Sequence, residues 1–132
     1  MKVMLDTNIC IYIIKQKPQT VLQRFRAFQV GDVGISSITL AELQYGAMKS
    51  ARPRQNRESL KEFIVPLDVA SFDIAASEAY GEIRASLEKS GRPIGAMDLL
   101  IAAHALSLDA RLATNNEREF RRVRGLHVEN WI

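Results

Sequence analysis

A chain of 132 residues, 47% apolar and 25% charged, is long enough to bury its own core as one domain and too apolar to be disordered. With 18 Lys and Arg against 15 Asp and Glu, the net charge of +3 excludes an extreme polyelectrolyte and favours a polyanionic partner only weakly. The single cysteine, Cys10, excludes an intrachain disulfide.

The first predicted strand is residues 2–6, an apolar run that ends on Asp6. A nearly all-apolar helix follows over residues 8–15, with Cys10 as a buried small hydrophobe inside it. Lys15-Gln16-Lys17-Pro18 breaks that helix, and a second runs over residues 18–28 with Val21, Leu22 and Phe25 at helical spacing. Gly31-Asp32-Val33-Gly34 reads as a turn and Ile35–Ile38 as a short strand. A helix from Thr39 to Ser50 places Leu40, Leu43 and Ala47 on one face. Residues 49–61 are strongly basic, with Pro53 at a helix start and Leu60, Phe63 and Ile64 towards the core.

Val65–Val69 reads as the third strand. Ser71 is the expected cap of a longer helix in which Phe72, Ala76, Ala79, Tyr80, Ile83 and Leu87 recur every three or four residues. Ser90-Gly91-Arg92-Pro93 stops it. Residues 95–108 form the most buried-looking helix, followed by a strand at 111–114, a turn and short helix at 115–122, and a last strand at 126–128. Alternation of strand and helix predicts an α/β domain over residues 1–132: a mostly parallel sheet with helices on both faces, three layers in all. No secretory leader and no membrane-length apolar stretch is visible, so a soluble cytoplasmic protein is expected.

In such folds ligands bind outside the carboxyl ends of the strands. Acidic or amide groups stand at that edge in four places: Asp6, Glu42, Asp98 and the pair Asn116/Glu119. Each has an ordinary structural reading. Asp6 suits a helix cap, Thr39-Leu40-Ala41-Glu42 has a capping-box pattern, Asn116 to Glu119 resembles another, and Asp98 suits the positive end of its helix. Asp6 and Asp98 nevertheless sit in apolar surroundings, where a carboxylate needs a partner or a metal. Gathered carboxylates suit a hard cation such as Mg²⁺ or Mn²⁺, which activates water and steadies a leaving oxygen in phosphodiester cleavage. No Cys/His cluster offers a zinc site.

Four blocks together resemble the PIN-domain nucleases: Met4-Leu5-Asp6-Thr7-Asn8, Ile35 to Gly46 with Glu42 in the second acidic position, Asp98 to Ala105, and Ala113 to Phe120. Within that family, Gly91-Arg92-Pro93-Ile94-Gly95 and Glu129-Asn130-Trp131 resemble the enterobacterial VapC toxins of type II toxin–antitoxin modules. The resemblance implies an α/β/α PIN fold and Mg²⁺- or Mn²⁺-dependent RNA cleavage. It also implies a VapB-type antitoxin as partner, a homodimer within a larger complex, and initiator tRNA cut in the anticodon loop. It assigns Asp6 and Asp98 as metal ligands and Glu42 as a ligand through water or a water-orienting base, with Thr7 and Thr114 orienting the carboxylates. The chain departs at the fourth acidic position, which is Asn116; Glu119 is the substitute carboxylate.

Of the remaining residues, Arg118, Arg121, Arg122 and Arg124 adjoin the acidic block and are candidate RNA-phosphate contacts, as is the basic stretch 49–61. His104 reads as a core histidine, Tyr45 as a packing residue with base stacking as the alternative, and Trp131 as a packing or interface anchor. Arg92 is a candidate for the mouth of the site. Two other functions compete: a catalytically silent PIN-like RNA- or protein-binding module, and phosphoryl transfer through an aspartyl intermediate on Asp6. The second is disfavoured by Asn8, where phosphatases of that kind carry a second Asp.

Overall fold

Strand β1 (Val3–Leu5) is wholly buried and occupies the centre of a five-stranded, all-parallel sheet ordered β3-β2-β1-β4-β5 in the computed structural model, which describes residues 1–132. The strands flanking it are β2 (Val33–Ser36) and β4 (Arg111–Thr114), with β3 (Asp68–Ala70) and β5 (Val128–Asn130) at the edges. Seven helices connect them: α1 (Thr7–Ile14), α2 (Gln19–Arg26), α3 (Ser37–Lys49), α4 (Pro53–Ile64), α5 (Ile74–Lys89), α6 (Ala96–Ser107) and α7 (Glu117–Phe120).

Side chains alternate across a strand, so β1 feeds two cores. Val3 and Leu5 pack with Ile9, Val21, Ile35 and Leu60 on one face, while Met4 packs with Ile83, Leu99, Leu112 and Phe120 on the other. The predicted three-layer architecture follows from these two separate cores. No helix is long and apolar enough to cross a membrane.

Several boundaries differ from the sequence reading. The second strand lies two residues earlier than expected, because Ser36 accepts a hydrogen bond from the Ile38 N–H at 3.0 Å and so starts α3 where strand was predicted. Gly34 is therefore a strand residue. A Cβ there would lie 2.3 Å from the Asp68 carbonyl oxygen, so the close β2–β3 approach requires glycine. Residues 65–67 complete the turn out of α4, Leu67 N–H bonding the Ile64 carbonyl at 3.0 Å, which delays β3 to Asp68. Asp73, not Ser71, caps α5, accepting from the Ala76 N–H at 3.0 Å. Phe72 stays outside that helix and meets the His104 ring edge-on at 5.3 Å. The last strand begins at Val128 rather than Leu126.

Trp131 is buried, stacks on Phe28 at 5.7 Å and donates from Nε1 to Glu129 at 3.2 Å, so it is a packing anchor. Cys10 is fully buried, and burial pushes its thiol well above the ordinary range, consistent with a small apolar role.

Candidate active site

The carboxyl end of β1 delivers Asp6 to the start of α1. One oxygen, Oδ1, accepts the Ile9 N–H at 2.9 Å as the helix cap, and Oδ2 accepts the hydroxyl of Thr114 from the end of β4. Capping and a site role are thus not alternatives: the cap fixes the carboxylate at the sheet edge. Asp6 is only 4% exposed. Burial first, and then the charges of Asp98 and Glu42, raise its pKa to about 6 despite the two hydrogen bonds.

Glu42 stands in the second turn of α3. The capping-box reading of Thr39 and Glu42 fails, since Ser36 is the cap and Thr39 is buried inside the helix. Glu42 instead reaches across to α1, where the Thr7 hydroxyl donates to Oε1 at 2.6 Å. Asp98 lies in the first turn of α6, half-buried, and its pKa is raised by burial and then by the charges of Glu119 and Glu42. Asn116 joins these groups. Its amide nitrogen donates to Glu119 at 3.0 Å and to Asp98 at 3.4 Å, while its backbone N–H donates to the Thr114 hydroxyl at 2.9 Å.

Asp6, Glu42, Asp98, Asn116 and Glu119 are therefore connected by hydrogen bonds or by mutual charge, with Thr7 and Thr114 holding two of the carboxylates. No lysine or arginine pairs with any of the four acids; all six ion pairs lie elsewhere. An all-oxygen donor set carrying unneutralised negative charge fits a hard divalent cation. The four acids do not draw together closely enough for three of them to enclose an ion in this structure. The buried Asp6, with both oxygens already bonded, is poorly placed as a nucleophile for phosphoryl transfer.

The arginines divide. Arg121 is paired with Glu117 at 2.8 Å, and Arg122 donates from Nη1 to the Pro93 carbonyl at 3.0 Å, bracing the loop that precedes α6. Arg118 and Arg124 are exposed and unpaired, and Arg92 is exposed on the loop before α6. His104 is buried with Nδ1 2.7 Å from the Ser36 hydroxyl, and burial lowers its pKa, as suits a neutral core residue.

Sequence reasoning missed two supports. The Tyr12 hydroxyl accepts from Asn115 at 3.0 Å and steadies the loop carrying Thr114 and Asn116. The Ser36–His104 contact ties the start of α3 to α6, and so the helix of Glu42 to that of Asp98. Partners 103 and 68 residues apart leave no local pattern to read.

Residues 3–126 match the profile of the PIN domain. The chain is 50% identical to the tRNA(fMet)-specific endonuclease VapC of Shigella flexneri, covering 99% of this chain and 98% of the relative. It is 45% identical to ribonuclease VapC2 of Haemophilus influenzae strain Rd, covering 100% and 99%. Among solved structures, VapBC2 from Rickettsia felis bound to a promoter DNA fragment superposes with a TM-score of 0.94 at 42% identity, over 100% of both chains. DNA-bound VapBC from Salmonella typhimurium gives 0.94 at 45%, over 100% and 99%. The chain belongs to the PIN-domain family, among its VapC ribonucleases, and is by that membership a nuclease.

Proposed function

We propose that this nuclease is the toxin of a type II toxin–antitoxin pair. It is a Mg²⁺- or Mn²⁺-dependent endoribonuclease that cuts initiator tRNA in the anticodon loop, acts as a homodimer, and is restrained by a VapB-type antitoxin in the cytoplasm. The observation that carries the metal dependence is the group of four carboxylates at one sheet edge with no side-chain cation among them. The substrate and the antitoxin rest on the relatives, one named a tRNA(fMet)-specific endonuclease and others solved as VapBC complexes.

Asp6 and Asp98 would hold the cation, with Glu42 acting through water. When bound, the cation lowers the pKa of a water and neutralises charge developing on the phosphate. The protein supplies position. Asp6 is fixed through both oxygens, so it needs no reorganisation on binding. Thr7 pins one Glu42 oxygen and leaves the other to orient the attacking water and take its proton. Asn116 steadies Asp98 and Glu119 by donation and adds no further charge.

The test is cleavage of total cellular RNA by antitoxin-free protein with Mg²⁺, Mn²⁺ or chelator, beside Asp6→Asn and Asp98→Asn, with every new 5′ end mapped. The expected result is discrete cation-dependent cuts confined to the initiator anticodon loop and lost in both variants. Cuts that persist in chelator would overturn the metal dependence, cuts elsewhere the substrate. Inactive but folded, cation-supplied protein would point to a silent binding module.

A further inference from the structure

Helix α3 continues beyond Glu42 in a way the acidic site does not use. Glu42, Tyr45 and Lys49 are spaced i, i+3 and i+7, which puts them within roughly 60° of one another on a single helix face. Tyr45 was expected to pack, yet it is 65% exposed, and the Lys49 ammonium lies 5.0 Å from its ring centroid. Helix rise places Tyr45 roughly 4.5 Å and Lys49 roughly 10.5 Å further along the axis than Glu42.

Positive charge continues past that point. Residues 49–61 carry Lys49, Arg52, Arg54, Arg57 and Lys61 against the single acid Glu58. Arg54, Arg57 and Lys61, with Met48, Pro53 and Glu58, line an open recess of about 460 Å³ between α3 and α4; Glu58 pairs with Lys61 at 3.4 Å, which leaves Arg54 and Arg57 as its unpaired cations. An exposed aromatic ring followed by a run of cations is the arrangement that holds single-stranded nucleic acid, the ring stacking on a base and the cations tracking phosphates. A duplex would offer the ring no free base face. An apolar protein surface would leave the cations without partners.

From this stripe we infer that Tyr45 stacks on an unpaired base beside the scissile phosphate, and that Lys49 and the α4 arginines hold the phosphates beyond it. The substrate segment is thus a single-stranded stretch of RNA laid along α3 away from Glu42. This inference rests on the ribonuclease reading and adds the path of the substrate to it.

The test uses a labelled single-stranded oligoribonucleotide spanning the cleaved region. Binding is read by fluorescence anisotropy in chelator, and single-turnover cleavage with Mn²⁺. Tyr45→Ala is expected to weaken binding about tenfold or more, the scale of one base–aromatic stack, and Tyr45→Phe to recover most of the loss. Lys49→Ala is expected to lower the slope of log affinity against log salt by about 1. Abasic substitutions at each position flanking the cut then locate the stack: at one position, parent and Tyr45→Ala bind equally.

If the parent cuts RNA and folded Tyr45→Ala binds and cuts as well as the parent, the stacking inference fails and the ribonuclease reading stands. If the parent cuts nothing, both fail. Loss of the dimer in Tyr45→Ala by sedimentation, with binding lost in step, would make Tyr45 a contact between copies and overturn the inference. Because Tyr45 is exposed, its truncation leaves both cores intact, and the Lys49 and abasic arms decide the matter independently.

Discussion

Thr7 donates its hydroxyl to Glu42 at 2.6 Å, and this bond joins the first turn of α1 to the second turn of α3 across 35 residues of sequence. It selects one orientation for a carboxylate that helix geometry alone leaves free to rotate. Thr7→Val, which keeps the shape and removes the donor, is expected to lower the cleavage rate about tenfold, the scale of one charge-assisted hydrogen bond, while thermal stability changes by no more than ~1 kcal/mol. Thr7→Ser should restore the rate. Single-turnover kinetics beside thermal melts check this; a Val variant as fast as the parent would remove Thr7 from the site.

Asp6 makes the cation-free protein sensitive to pH in an unusual direction. Its pKa rises from 3.8 in the unfolded chain to about 6 in the fold. Below 3.8 both states hold the proton. As pH rises to 6 the unfolded chain releases it first, so stability falls, by about 3 kcal/mol once both states are ionised. The raised pKa of Asp98 acts in the same sense. Chemical denaturation in chelator should therefore show lower stability at pH 7 than at pH 4.5 from these groups. Saturating Mg²⁺ should offset the loss, because it binds the ionised fold.

The same reasoning makes Asp6→Asn a stabilising substitution in the cation-free state. The amide keeps an oxygen for the Ile9 N–H and sheds the buried charge. An increase of roughly 1–3 kcal/mol at pH 7, with cleavage abolished, is expected. Equilibrium unfolding in chelator tests it; a destabilised Asn variant would show that the carboxylate was already neutralised from within the protein.

Asn116→Asp would set a third charge between Asp98 and Glu119, each of which now accepts from the amide. The expected outcome is lower stability without cation, by about 1–2 kcal/mol, and a larger stabilisation by Mn²⁺ than the parent shows. Melting curves across a Mn²⁺ titration read both effects.

Arg122→Ala should act on the loop before α6 rather than on RNA. Losing the bond to the Pro93 carbonyl is expected to cost about 1 kcal/mol and to speed amide exchange in residues 91–97. A variant altered only in its salt-dependent RNA affinity would restore the phosphate-contact reading of this arginine.

The sequence made the central features legible where physics is local. An apolar run ending on Asp6 and periodic apolar faces sufficed for the alternating fold and the two-faced sheet. Boundaries slipped where a short polar group decided them. Ser36 and Asp73 cap their helices three and two residues away from the caps expected at Thr39 and Ser71, because Ser and Asp compete with strand wherever they occur. Asn116 showed its departure from the acidic pattern, but its pairing with Asp98 needs two segments 18 residues apart to meet. The exposure of Tyr45 was hidden because helical spacing says which residues share a face, not which face is covered.

The central position of β1 also bears on when the acidic site can assemble. The strand emerges first during synthesis, yet its β4 neighbour begins at Arg111, and the hydroxyl that holds Asp6 comes from Thr114. A growing chain that has not yet delivered those residues lacks one flank of the sheet, Glu119 and the loop that steadies Asp98. Folding of the acidic edge therefore waits on a contact between segments more than 100 residues apart, and the first strand made is among the last to be completed.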